Sequence, residues 1–272
     1  IQKMKNLCVI MGTRPEVIKL FPIINNLKQQ AINLKVLYTN QHKEMGKELS
    51  HLFKFKYDAI LKRNYKKNIS FDLIDKIYEF LKKNKIESVV VMGDTLTGAA
   101  GSIAAYLNQS KIFYVESGLR TGDFNEPWPE EGFRKIITHI SNIHFAPTIE
   151  NRKILISEGI EAKNIYVTGN TVIDSIKNSL NIIKSKKIKK NLDKKINYIL
   201  GSNFNNFVII TMHRRENFGK PFEKICENIN KISKIHKDLK FVYPVHPNPY
   251  VSKTAKSKFK SNKNIILTKP LN

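Results

Sequence analysis

Short apolar runs rich in valine, isoleucine and phenylalanine alternate with amphipathic stretches of helical period along most of the chain, and this rhythm restricts the fold more than any other feature. The runs with strand character are Leu7–Met11, Leu34–Thr39, Ser88–Met92, Ile112–Val115, Ile143–Ala146, Ile165–Val167, Phe207–Thr211 and Phe241–Pro244. Between them lie helix-like stretches near Pro15–Gln30, Lys43–Phe53, Phe71–Asn84, Thr97–Asn108, Glu130–Ser141, Ile149–Glu158, Val172–Ile183 and Pro221–His236. Alternation of this kind builds parallel sheets covered by helices on both faces, so the expected class is α/β, with doubly wound Rossmann-like units.

The rhythm breaks once, at Lys184–Asn206, where lysine and asparagine dominate and neither period is clean. A chain of 272 residues with 41% hydrophobic content can fill two cores. The expected division is therefore a first domain over 1–170, a helical connection over 171–206 and a second α/β unit over 207–272. That second unit shows only two clear strands, so it reads as partial.

Ile1–Asn6 is polar, lacks an initiator methionine and reads as a trimmed end without a secretory signal. No apolar stretch approaches the roughly 18 residues of a membrane span. Cys8 and Cys226 give no basis for a disulfide framework, and a soluble, cytoplasmic protein is expected. The net charge of +24 raises the question of nucleic acid, but the densest basic stretch, Lys184–Lys195, carries no interleaved aromatics to stack on bases. It reads as a solvated lysine-rich face, with neither a nucleic-acid nor a membrane partner.

In open parallel sheets, ligands sit outside the carboxyl ends of the strands, so polar motifs there carry most of the functional signal. Gly12-Thr13-Arg14-Pro15-Glu16, continuing to Lys19, offers a tight strand-to-helix turn with two cations near a helix start, either an anion clamp or an ordinary turn. Gly93-Asp94-Thr95 precedes a helix of small residues; Asp94 reads first as its cap and second as an acid or base. Small residues behind it admit a close backbone or a ligand.

Glu116-Ser117-Gly118-Leu119-Arg120-Thr121-Gly122-Asp123, followed by Pro127-Trp128-Pro129-Glu130-Glu131 and Arg134, is the most distinctive segment. It brings several carboxylates to one strand end, where separated pKa values would let them act as acid and base. Trp128 between two prolines reads as a device for rigid geometry, and the bland alternative is a loop whose charges pair with Arg120 and Arg134. Lastly, His213-Arg214-Arg215-Glu216-Asn217 and His246-Pro247-Asn248-Pro249 follow the next two strands, and the arginines suit a diphosphate. Neither a Walker loop nor a G-x-G-x-x-G fingerprint is present, and the histidines lack metal-site spacing.

In joint order and spacing these motifs, with Gln41-His42, His144–Thr148 and Thr168-Gly169-Asn170-Thr171, resemble the bacterial non-hydrolysing UDP-N-acetylglucosamine 2-epimerases. The resemblance implies a GT-B-like pair of domains and a reaction without metal or redox cofactor. In it, UDP-GlcNAc loses the proton on sugar carbon 2, expels UDP to give 2-acetamidoglucal, and regains both as UDP-ManNAc, a surface-polysaccharide precursor. On the matching positions Asp94, Glu116, Glu130 and His213 are implied as catalytic. Arg14, Lys19, Arg134, Arg214, Arg215, Glu216 and Asn217 are implied to bind substrate. Gln41, His42, Glu44 and His246 match positions that hold a second UDP-GlcNAc as activator, and a homodimer is implied.

The chain departs from the family pattern at Lys67-Asn68-Ile69-Ser70, near the activator positions, and at Leu96, Ser117 and Phe133, which read as retuning the sugar pocket. The resemblance also implies about a hundred further residues past the position of Asn272; without them, weak or absent activity and poor stability of 207–272 are expected from an uncovered sheet edge. Rival readings are an epimerase of a modified UDP-sugar, a hydrolysing epimerase, a glycosyltransferase, and an inactive UDP-binding or basic interaction fragment.

Overall fold

The computed structural model describes residues 6–41, 45–62, 69–201, 206–212, 218–246 and 248–271. It is α/β and divides into two compact units, the first ending at Ser179 and the second beginning at Leu180. The first unit holds β1 (Asn6–Met11), α1 (Arg14–Leu27), β2 (Asn33–Tyr38), α2 (Met45–Leu52), β3 (Ala59–Ile60), α3 (Ile69–Lys83), β4 (Ser88–Met92) and α4 (Leu96–Leu107). It continues through β5 (Lys111–Val115), α5 (Glu130–Ile140), β6 (Ile143–Ala146), α6 (Ile149–Ser157), β7 (Ile165–Val167) and most of α7 (Val172–Ile183). Its seven strands pair in parallel in the order β3-β2-β1-β4-β5-β6-β7.

Central strands of such a sheet are covered on both faces and should be apolar throughout. All five residues of β4 are buried, as are five of the six in β1. One core joins Cys8, Ile10, Leu37, Val89, Val91, Ile112 and Tyr114 to Ile77 and Leu81 of α3, Ala100 and Ala104 of α4 and Ile137 of α5. The small residues of α4 serve this packing. A Cβ on Gly98 would lie 3.0 Å from the Met92 carbonyl oxygen, and one on Gly101 would press on Ile10 and Val91 at 3.2 and 3.3 Å. The close neighbour admitted by those residues is the sheet itself.

The second unit contains α8 (Lys186–Leu200), β8 (Phe207–Ile209), α9 (Lys220–Ile235), β9 (Lys240–Pro244), α10 (Pro249–Phe259) and β10 (Ile265–Thr268). Its parallel sheet has the order β10-β9-β8. Phe222, Cys226, Phe241, Tyr243, Val251, Ala255 and Phe259 form its core. Three strands stand where the sequence offered two clear ones, because Ile265–Thr268 is a four-residue run hidden among lysines. The rhythmless stretch beyond Lys184 holds α8. There Ile188, Leu192, Ile199 and Leu200 keep a helical spacing that the surrounding lysines obscure. Cys8 and Cys226 are free and buried, and among the described residues no helix is long and apolar enough to cross a membrane.

Candidate active site

The chain lays β2 and β3 to one side of β1 and β4 through β7 to the other, so the crevice at the carboxyl ends of β1 and β4 is the switch point where α/β sheets take ligands. Gly12 begins the turn after β1. It is required sterically, since a Cβ there would collide with the hydroxyls of Thr39 and Thr97, which hydrogen-bond each other at 2.7 Å. Thr13 is the N-cap of α1, with Pro15 in its first turn.

Glu16 is buried and gathers the turn. Its Oε2 accepts from the Gly12 and Thr13 amides at 2.8 and 2.7 Å and from the Thr13 hydroxyl at 2.9 Å, while Oε1 accepts from the Thr95 hydroxyl at 2.5 Å. Burial pushes this carboxyl's pKa up, and the donors, Thr95 first, pull it back. Arg14 is half-buried and makes no hydrogen bond or ion pair among the described residues.

After β4 the chain turns through Gly93, whose φ is +68°. The cap of α4 is Thr95, whose hydroxyl accepts from the Gly98 amide at 3.0 Å; Asp94, expected first as that cap, is not. Its carboxylate instead meets Arg134 of α5, with Oδ2 taking Nε at 3.0 Å and Nη2 at 2.5 Å. The third guanidinium nitrogen, Nη1, reaches Glu131 Oε2 at 3.0 Å. Glu131 is fully buried; burial alone would raise its pKa, but the Thr121 amide, Arg134 and the Gly122 amide outweigh it and hold the carboxyl below its usual range.

Val115 pairs with Met92 across β5 and β4, so Asp94 and Glu116 leave adjacent strand ends. Parallel neighbours lie about 4.8 Å apart, which brings the two carboxyl-bearing turns side by side. The Tyr114 hydroxyl ties them by donating to the Gly93 carbonyl at 2.7 Å. Burial pushes the Tyr114 pKa up, with the charges of Arg120, Asp94, Arg134 and Glu116 all acting on it. Glu116 itself has φ +64°, a left-handed conformation uncommon outside glycine and frequent at functional sites. Lys19 Nζ contacts both its oxygens, at 2.7 and 2.6 Å, and Asn170 Nδ2 donates to Oε1 at 3.0 Å.

In the segment that follows, the pairing loop of the bland alternative holds in part, since Glu131 pairs with Arg134 but Arg120 pairs outside it. Arg120 goes to Glu158, with Nε and Nη2 at 2.8 and 2.6 Å from its two oxygens, and Arg134 goes to Asp94 and Glu131. Trp128 is 75% exposed, so it does not brace the turn by packing, although cis peptide bonds precede both flanking prolines. Glu130 opens α5, and its Oε2 is buried with no hydrogen-bond partner among the described residues.

Gln41 accepts from the Thr97 amide and hydroxyl at 3.3 and 2.8 Å. His42 and Glu44 lie outside the described residues, as do His213, Arg214, Arg215, Glu216, Asn217, Lys67 and Asn68. His246 follows β9 in the second unit, with Nδ1 accepting from the Asn248 amide at 3.1 Å. The first unit thus brings together Asp94, Glu116, Lys19 and Arg134 at neighbouring turns.

A model of the UDP-N-acetylglucosamine 2-epimerase family matches residues 25–272. The chain belongs to this family. A UDP-N-acetylglucosamine 2-epimerase of Campylobacter jejuni is 37% identical over 279 residues, spanning 98% of this chain and 72% of that one. The crystal structure of the Neisseria meningitidis UDP-GlcNAc 2-epimerase bound to UDP-GlcNAc superposes with a TM-score of 0.89 at 37% identity, over 98% of this chain and 73% of that one. The Methanocaldococcus jannaschii UDP-GlcNAc 2-epimerase in complex with UDP-GlcNAc and UDP gives 0.81 at 32% identity, over 98% and 74%.

Within this epimerase family member, the departures at Leu96, Ser117 and Phe133 lie against buried side chains of the first unit. Ser117 is fully buried and its hydroxyl pairs with His144 Nδ1 at 3.0 Å, while Leu96 and Phe133 pack against the core of the first unit. Leu96 and Phe133 remain half-buried, so each keeps a face outside that packing. His144 is held neutral by burial, its pKa lowered to about 4.

Proposed function

We propose that the protein interconverts UDP-GlcNAc and UDP-ManNAc by elimination and re-addition of UDP. The observation that carries this is the pair of carboxylates leaving adjacent strand ends, Asp94 and Glu116, each held by a cation from a helix. One carboxylate takes the proton from sugar carbon 2. The C–H electrons form a carbon 1–carbon 2 double bond as the bond from carbon 1 to the diphosphate oxygen breaks, giving 2-acetamidoglucal and UDP. UDP oxygen then re-bonds carbon 1 while a carboxylic acid on the opposite face returns a proton to carbon 2. Asp94, Glu116 and Glu130 are assigned to these proton transfers, which positioned carboxyls accelerate by about a hundredfold or more.

Arg14, with no protein partner among the described residues, is assigned to the departing diphosphate together with His213, Arg214 and Arg215. Lys19, already committed to Glu116, acts first as that acid's counter-charge. Glu216 and Asn217 complete the nucleotide contacts in this reading, and Gln41, His42, Glu44 and His246 hold an activating second UDP-GlcNAc. The whole enzyme is assigned to the cytoplasm as a homodimer that supplies polysaccharide precursors, an assembly that sedimentation would test.

Incubation with UDP-GlcNAc, followed by separation of products, decides the reaction. UDP-ManNAc supports the proposal. Free sugar with UDP would make the protein a hydrolysing epimerase, and no turnover would remove the proposal.

A further inference from the structure

Glu116 is held from two sides, and one of its holders has no part in the reaction as described. Asn170 stands between β7 and α7, in Thr168-Gly169-Asn170-Thr171. Its Oδ1 accepts from the Val172 amide at 3.0 Å, making an Asx turn that leads into α7. Since the oxygen is committed to that amide, the nitrogen must face the other way, where it donates to Glu116 Oε1. The turn therefore fixes which end of the side-chain amide the carboxylate meets.

The two supports of Glu116 are also braced against each other. Ser175, one turn into α7 and buried, donates from its hydroxyl to the carbonyl of Ile18, the residue next to Lys19 on α1. Lys19, on α1, and Asn170, in the turn before α7, thus approach the carboxylate from elements joined by a hydrogen bond. Glu116 needs such bracing because its backbone sits in the left-handed region and its position is set by neighbours more than by its own conformational preference.

We infer that Asn170 is a positioning residue for Glu116, acting on the carboxylate's orientation without touching substrate. The inference rests on Glu116 acting in the reaction proposed above. Asp at position 170 still makes the Asx turn, because it keeps the acceptor for the Val172 amide, but it replaces the donor facing Glu116 with a second acceptor of like charge. Ala removes both functions.

The test compares wild type, Asn170→Asp and Asn170→Ala by steady-state epimerisation, with thermal unfolding to confirm that each is folded. If Asn170 orients Glu116, kcat falls about tenfold or more in both variants while KM stays within about threefold. If Asn170 only shapes the turn, Asn170→Asp keeps wild-type kcat and Asn170→Ala alone suffers, which would overturn the inference. A reading independent of substrate comes from the side-chain amide signals of Asn170 in a proton–nitrogen spectrum of the unliganded protein. These should move on Glu116→Ala and stay in place on Asp94→Asn; indifference to Glu116→Ala also overturns the inference. An inactive wild type with responsive Asn170 signals would instead refute the proposed reaction and leave the positioning contact standing.

Discussion

Arg134 binds Asp94 through one carboxylate oxygen only. Nε and Nη2 both converge on Oδ2, and Oδ1 makes no hydrogen bond among the described residues. One oxygen is thereby anchored and the other left open, which suits the acid or base role proposed for Asp94.

The same guanidinium also covers Glu131, whose side chain is fully buried. Removing it by Arg134→Met leaves that carboxylate with a buried, poorly compensated charge, at an expected cost of about 3 kcal/mol in urea denaturation. Adding Glu131→Gln should return much of that loss. A double variant as unstable as the sum of the singles would show that the two side chains act separately.

Gly12 has a steric reason to be glycine, because the hydroxyls of Thr39 and Thr97 occupy the space of a Cβ. Gly12→Ala is expected to cost about 2 kcal/mol by overpacking. Pairing it with Thr97→Ser keeps the clashing hydroxyl and gains nothing, whereas Thr39→Gly with Thr97→Gly should make the alanine better tolerated, as denaturation midpoints would record.

Much of this was legible in the sequence. Buried parallel strands are short and apolar, so β1 and β4 stand out, β5, β6 and β7 show as short apolar runs with less burial, and polar residues directly after the central strands mark the site edge. What escaped did so for identifiable reasons. The bounds of α8, inside the expected helical connection, are blurred because its apolar face lies among lysines, and β3 is two residues long. The role of Glu16 was invisible because its partner Thr95 lies 79 residues away. Thr95 displaced Asp94 as the cap because its hydroxyl reaches the Gly98 amide, freeing Asp94 for Arg134. Asn170 carried one local signal, an asparagine two residues before a helix amide, but nothing in the sequence pointed it at Glu116.

His144 sets a pH dependence of stability. Its pKa falls from the ordinary 6.5 to about 4 in the folded state, so between those values the unfolded chain takes up the proton first. The contribution is complete above pH 6.5 and is lost as pH falls toward 4, amounting to at most about 3 kcal/mol. His144→Gln should flatten that part of the stability curve; an unchanged slope would mean that other groups set it.

Ser117 adjoins Glu116 in sequence yet points into the core toward His144. Ser117→Ala should therefore leave kcat within about twofold of wild type. Losing the hydroxyl should cost about 1 kcal/mol of stability, measured by denaturation.

The most direct measurement follows carbon 2 itself, by incubating the protein with UDP-GlcNAc in deuterium oxide and reading the sugar by proton NMR. If carboxyls at these strand ends exchange the carbon 2 proton, deuterium enters that position as UDP-ManNAc appears. Asp94→Asn, Glu116→Gln and Glu130→Gln should each slow one or both events by about a hundredfold or more while the fold persists. UDP-ManNAc formed without deuterium at carbon 2, or full activity in all three variants, would contradict the assignment.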